Sequence, residues 1–136
     1  MNEFNIKAIS NTWYCEDCGP IDDMNYVISL NGFTKEYFYD GHFGNGNFTY
    51  DGLYNIDNIL TIITDFADAF GSAGFVIENI HMEKNNLVFI CNHKEIIINP
   101  NNQQSISEQF STFILSLGIT YSYDEEDNSK PYWEDD

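Results

Sequence analysis

Asn55-Ile56-Asp57-Asn58-Ile59-Leu60-Thr61-Ile62-Ile63-Thr64-Asp65-Phe66-Ala67-Asp68-Ala69-Phe70-Gly71 is the stretch that decides the fold class. Ile56, Ile59, Leu60, Ile63, Phe66, Ala67 and Phe70 recur at helical spacing and form an apolar stripe. Asp57, Asn58, Thr61, Asp65 and Asp68 fall on the opposite side. Asn55 or Asp57 can cap the start, and Gly71 and Gly74 supply the stop. One helix is therefore expected here.

On both sides of this helix the period changes from helical to strand-like. Upstream, Phe4, Ile6 and Ala8 alternate with Asn5 and Lys7, which predicts a strand over 3–9. Residues 10–23 read as a polar loop holding Cys15-Glu16-Asp17-Cys18-Gly19-Pro20. Met24 to Leu30 reads as a second strand, stopped by the turn dipeptide Asn31-Gly32, and 33–39 as its hairpin partner. A glycine-rich stretch over 40–47 follows. Downstream, 75–99 reads as a three-stranded meander with turns at Lys84-Asn85-Asn86 and Asn92-His93.

A second helix is expected over about 105–117. Ser105 and Glu108 have capping-box spacing, and Ile106, Phe110, Phe113, Ile114 and Leu117 share a face. Residues 119–123 can add a short strand. The order strands, helix, strands, helix predicts an α+β fold: an antiparallel sheet of about five to six strands with two helices packed on one face. The reading divides the chain into a single α+β domain, 1–123, and an acidic C-terminal tail, 124–136.

The charge balance bounds function. The 136 residues carry 22 acids against five bases, for a formal charge of −17. All five bases are lysines, and arginine is absent. The tail carries seven acids and one lysine, a charge of −6, which leaves −11 on the body. A basic stripe is what displaces counterions from nucleic acid, and arginine is the usual clamp for phosphate. This chain has neither, so direct binding of nucleic acid, nucleotide or anionic membrane is not expected. With 43% hydrophobic and 16% aromatic residues there is material for a core. The first residues lack a basic segment followed by an apolar run, and three cysteines do not make a complete disulfide framework. A cytoplasmic location is the expectation.

The candidate residues for chemistry are few. Cys15 and Cys18 form a Cys-x-x-Cys pair, which needs two further ligands to close a zinc site. Cys91 and His93 are the candidates for completing it. Gly19-Pro20 after Cys18 favours a turn, whereas a redox pair sits where a strand feeds a helix N-terminus. The commoner reading is ordinary loop cysteines and no cofactor. The glycine-rich 40–47 has neither a P-loop nor a dinucleotide-binding pattern, and His42 within it reads as a solvated loop residue. Glu16-Asp17 and Asp22-Asp23 are paired acids in loop-like contexts, without the burial that catalytic carboxylates need. The chain is not expected to be an enzyme.

Binding is the function class that remains. A summed acidic potential steers basic partners toward it. Trp13 and Tyr14 precede Glu16 and Asp17, while Tyr132 and Trp133 precede Glu134, Asp135 and Asp136. Aromatics beside carboxylates suit a partner surface rich in Lys and Arg. These residues, with Asp22, Asp23, Asp124, Glu125, Glu126 and Asp127, are the expected partner-binding set. In size, charge and lack of a catalytic motif the whole chain resembles the immunity proteins of bacterial toxin systems, including contact-dependent growth inhibition and polymorphic toxins. The resemblance implies a protein that neutralises a basic cognate toxin, often a nuclease, by covering its active site or substrate-binding surface. It carries no functional residue over. A second resemblance is to phage-encoded DNA mimics, the anti-restriction and anti-CRISPR proteins. The third class is a zinc-binding or redox protein using Cys15 and Cys18.

Overall fold

A computed structural model describes residues 1–129. The elements run β1 (Glu3–Cys15), β2 (Gly19–Leu30), β3 (Phe33–Asp40), β4 (Asn45–Gly46), a 3-10 turn (Gly52–Tyr54), α1 (Ile56–Asp65), α2 (Ala67–Ser72), β5 (Ile77–Glu83), β6 (Asn86–Cys91), β7 (Lys94–Ile98), α3 (Ile106–Ser116) and β8 (Thr120–Asp127). The fold is α+β, as expected. The strands form two sheets, one of five in the order β4-β3-β2-β1-β8 and one of three in the order β5-β6-β7. No described helix is long and apolar enough to cross a membrane.

The expectation of a single antiparallel sheet is thus corrected. The five-stranded sheet is mixed because β8 lies parallel to β1. Thr120 N–H donates to the Asn2 carbonyl at 3.0 Å and Asn128 N–H to that of Ser10 at 2.8 Å, so both strands ascend together. Hairpin signals are local and show which neighbours pair. They carry no information about which hairpins share a sheet, or about a strand arriving from the far end of the chain.

Two compact units alternate along the chain. The first comprises Met1–Phe4, Leu30–Phe33 and Asp51–Tyr121. In it, α1 packs on β5 and β6, α2 on β5, and α3 on β7. Phe4 is the hub of its core, with ring centroids 5.6 Å from Phe110, 5.8 Å from Phe66, 6.0 Å from Tyr121 and 6.2 Å from Phe70. Phe89 of β6 meets Phe113 of α3 edge-on at 5.0 Å. The three-stranded meander matches the sequence reading. Its turns place Lys84 and Asn85, then Asn92 and His93, at positive φ, as tight hairpin turns require.

The one long helix expected over 55–71 is two. Phe66 leaves helical geometry at φ −97°, ψ 5°, ending α1 and starting α2. Asn55 is the cap, its side chain accepting from Asp57 N–H at 2.9 Å. Asn58, expected on the polar side, is buried, because its amide donates to the Gly52 carbonyl at 2.9 Å. Ser105 caps α3 through Glu108 N–H at 3.1 Å.

The second unit comprises Asn5–Ser29, Thr34–Tyr50 and Ser122–Asp136, and holds most of the five-stranded sheet. Ile6, Ala8, Ile21, Tyr26, Ile28, Tyr37 and Phe48 are its buried apolar side chains. Tyr37 stacks on Phe48 at 4.4 Å, and Tyr26 lies 5.2 Å from Phe48. The polar loop expected over 10–23 is a hairpin: β1 continues to Cys15, turns at Glu16–Cys18 and returns as β2. Apolar alternation stops at Ala8 because the outer part of this hairpin, Ile21 apart, is half-buried or exposed on both faces. Backbone pairing carries the strands on. Likewise β8 continues to Asp127, so Asp124–Asp127 are strand residues where a tail was expected.

Burial raises the Tyr26 hydroxyl to about 12, with Tyr123, Glu125 and Tyr50 adding to the shift. The raised value means that the folded state holds this proton more tightly than the unfolded state, whose tyrosines titrate near 10. The resulting stability is fully present below about pH 10 and is lost as pH rises toward 12. In urea titrations the wild-type midpoint should fall steeply between pH 10 and 12. Tyr26→Phe should flatten that fall, and an unchanged slope would contradict this origin.

Candidate functional site

Trp13, Cys15 and Cys18 stand at the outer end of the β1–β2 hairpin. Asp22 and Asp23 were expected as free loop acids. They are strand residues, and both are occupied within the chain. Asp22 accepts from the Thr12 hydroxyl at 2.7 Å. Asp23 accepts from Trp13 Nε1 at 2.8 Å with one oxygen and from Gly41 N–H at 2.9 Å with the other. Trp13 is half-buried and Tyr14 exposed, while Glu16 and Asp17 are exposed in the turn.

Asp23 thereby clamps the glycine-rich turn after β3 onto this hairpin. Gly41 is pressed so close that a Cβ there would stand 1.9 Å from the Asp22 carbonyl oxygen. Asp40 orders the next residues, accepting from His42 N–H at 2.8 Å and Phe43 N–H at 3.3 Å. The His42 ring then sits edge-on to Trp13 at 5.6 Å and against Phe43 at 4.4 Å. His42 Nε2 lies 3.5 Å from Cys18 Sγ. Sequence reading took His42 for a solvated loop residue, and the fold makes it a fixed neighbour of the cysteine pair. The closely spaced glycines of the 40–47 turn were the one local signal that this turn packs tightly against something.

Among the described residues, one group of donors gathers with metal-ligand chemistry: Cys15, Cys18 and His42, whose ligand atoms all lie within 4.8 Å of one another. Cys15 is half-buried and Cys18 exposed; neither is in a disulfide. A hydrogen bond from the Cys18 side chain, then the backbone amides of Asp17 and Cys18, hold the Cys15 thiol below its usual range. Cys18 is raised, by that same shared proton and then by desolvation. The expected partners of this pair were Cys91 and His93. Those two belong to the first unit, where Cys91 is buried on β6 with its thiol pushed up by burial and His93 is exposed in the β6–β7 turn.

The second acidic feature is β8, an edge strand of its sheet. Asp124, Glu125, Glu126 and Asp127 are all exposed. Lys7 Nζ pairs with Glu126 at 3.1 Å and lowers its carboxyl below the usual range, with Asn128 adding to the effect. Asp127 is lowered by hydrogen bonds from Ser129 and Ser10. Tyr132, Trp133, Glu134, Asp135 and Asp136 lie outside the described residues.

Two features stand out among the described residues. One is a Cys2His group locked by Asp23, and the other is an edge strand with four consecutive carboxylates. Compared with family models, with curated proteins and with solved structures, the chain matches none.

Proposed function

We propose that this protein binds a basic partner protein through the acidic edge of its five-stranded sheet, and that it serves as an immunity-type inhibitor of a cationic toxin. The observation that carries the reading is the run Asp124-Glu125-Glu126-Asp127 on β8, exposed along an edge of the sheet and, among the described residues, paired with the cation Lys7. The described part of the second unit holds ten carboxylates against two lysines, Lys7 and Lys35. Such a field steers a cationic surface and speeds its association. The same charges protect the edge from pairing with other copies of the chain.

The alternation of strand side chains favours a single shaped partner over DNA mimicry. Four acids on β8 span about 10 Å, with two on each side of the sheet. Duplex DNA carries about six charges over that length. A surface that sparse is a poor copy of DNA and a good complement to a basic patch.

The test is protection. Cells expressing a basic nuclease toxin encoded beside this chain should survive when the chain is co-expressed. The variant Asp124→Asn, Glu125→Gln, Glu126→Gln, Asp127→Asn should bind that toxin with an association rate lowered about tenfold or more at low salt. The proposal is overturned if no such neighbour exists, if the unmodified chain neither binds nor protects, or if the variant associates as fast as the parent.

A further inference from the structure

We propose that Cys15, Cys18 and His42 form a three-donor zinc site at the tip of the β1–β2 hairpin, with the fourth position left to water or to a donor from a bound partner. The inference stands independently of the acidic edge on β8.

The donor chemistry suits zinc, which takes thiolate sulfur and imidazole nitrogen in tetrahedral sets. The spacing suits it as well. With Zn–S of about 2.3 Å and Zn–N of about 2.05 Å, a tetrahedral ion spaces sulfur and nitrogen about 3.6 Å apart and two sulfurs about 3.8 Å apart. Cys18 Sγ and His42 Nε2 already stand at 3.5 Å, and all three donors fit within 4.8 Å. Closing on an ion therefore needs movements of an ångström or less, at side chains that are exposed or half-buried.

The surroundings support the donors. A two-residue spacing across a tight turn lets both cysteines face one point. His42 arrives from a turn 24 residues away in sequence. That turn is held by Asp23, which bonds both Gly41 N–H and Trp13 Nε1, and by the close approach of Gly41 to Asp22. Outer contacts that fix a ligand in place are the usual companions of a metal site. Glu16 and Asp17 lie between the cysteines and raise the local concentration of divalent cations. Three protein donors with an open fourth position is the arrangement in which zinc retains an exchangeable ligand.

The experiment is titration of the reduced, metal-free full chain with Zn²⁺ in competition with a chromophoric chelator, and with Co²⁺ as the spectroscopic probe. One equivalent of Zn²⁺ should bind. Co²⁺ should give intense tetrahedral visible bands and a thiolate charge-transfer band. Cys15→Ser and Cys18→Ser should each remove about half of the charge-transfer intensity, and His42→Ala should weaken Zn²⁺ binding at least tenfold. Cys91→Ser with His93→Ala should leave both signals unchanged. Circular dichroism of each variant checks that the fold persists. The proposal is overturned if the reduced chain binds no Zn²⁺, if bound Co²⁺ shows only weak octahedral bands from carboxylates, or if the Cys91/His93 variant loses the signal and the His42 variant keeps it.

Discussion

Phe4→Ala is expected to lower the unfolding free energy by about 3–5 kcal/mol. Phe4 is fully buried and its ring meets those of Phe66, Phe70, Phe110 and Tyr121. Those four rings come from three different places in the chain: α1's end and α2, α3, and β8. Truncation removes the transfer free energy of a benzyl group. It also leaves a cavity that four large rings, each held by other contacts, cannot collapse to fill. Against a typical total of about 5–15 kcal/mol, the loss is a large fraction of the whole. Urea denaturation followed by circular dichroism measures it. Phe4→Leu, which keeps most of the volume, should lose clearly less. A loss under about 1 kcal/mol for Phe4→Ala would show that this cluster does not organise the core.

Gly41→Ala should cost the hairpin unit about 2–3 kcal/mol, because it overpacks backbone against backbone. The added Cβ would lie 1.9 Å from the Asp22 carbonyl oxygen and 2.7 Å from its carbon. Neither atom can rotate away as a side-chain tip can, so the turn or β2 must move. The hydrogen bond from Gly41 N–H to Asp23 is then lost or stretched. His42 is the next residue, so its place beside Cys18 goes with it. Thermal unfolding should show the destabilisation, and tryptophan fluorescence should change because His42 packs on the edge of Trp13. A variant with unchanged midpoint and unchanged Trp13 emission would contradict the close approach. Gly71→Ala is the comparison, since a Cβ there meets nothing within 4 Å.

Much of the secondary structure is written in residues a few positions apart. Asn31-Gly32 turns between β2 and β3 with φ of 51° and 90°, as the dipeptide predicts. Asn55 and Ser105 cap their helices through the side-chain contacts that capping residues make. The apolar stripes of α1 and α3 and the meander of β5, β6 and β7 follow from periodicity. Where the apolar period stops, as beyond Ala8 and beyond Tyr123, the strands continue on backbone pairing. The polar side chains there gave the appearance of a loop and of a tail.

The candidate surfaces were less legible for the same reason. Sequence marked Asp22, Asp23 and Trp13 as partner-binding. The fold uses them within the chain, because carboxylates that look free in sequence find N–H and O–H donors across a hairpin. Sequence did not point to His42 beside Cys15 and Cys18, since spacing along a chain does not report distance between loops.

Composition, turns, caps and periodicity determined that this chain is an acidic α+β protein, with the β2–β3 turn, the β5–β7 meander and the starts of α1 and α3 where they stand. These are properties of neighbouring residues, whose backbone preferences and hydrogen bonds act over a few positions. Only the tertiary structure decided that β8 returns to lie parallel to β1, which turns Asp124–Asp127 into a charged sheet edge. It alone placed His42 against Cys18. Both pairings join residues far apart in the chain, and they arise from the shared burial and backbone hydrogen bonding of the whole sheet.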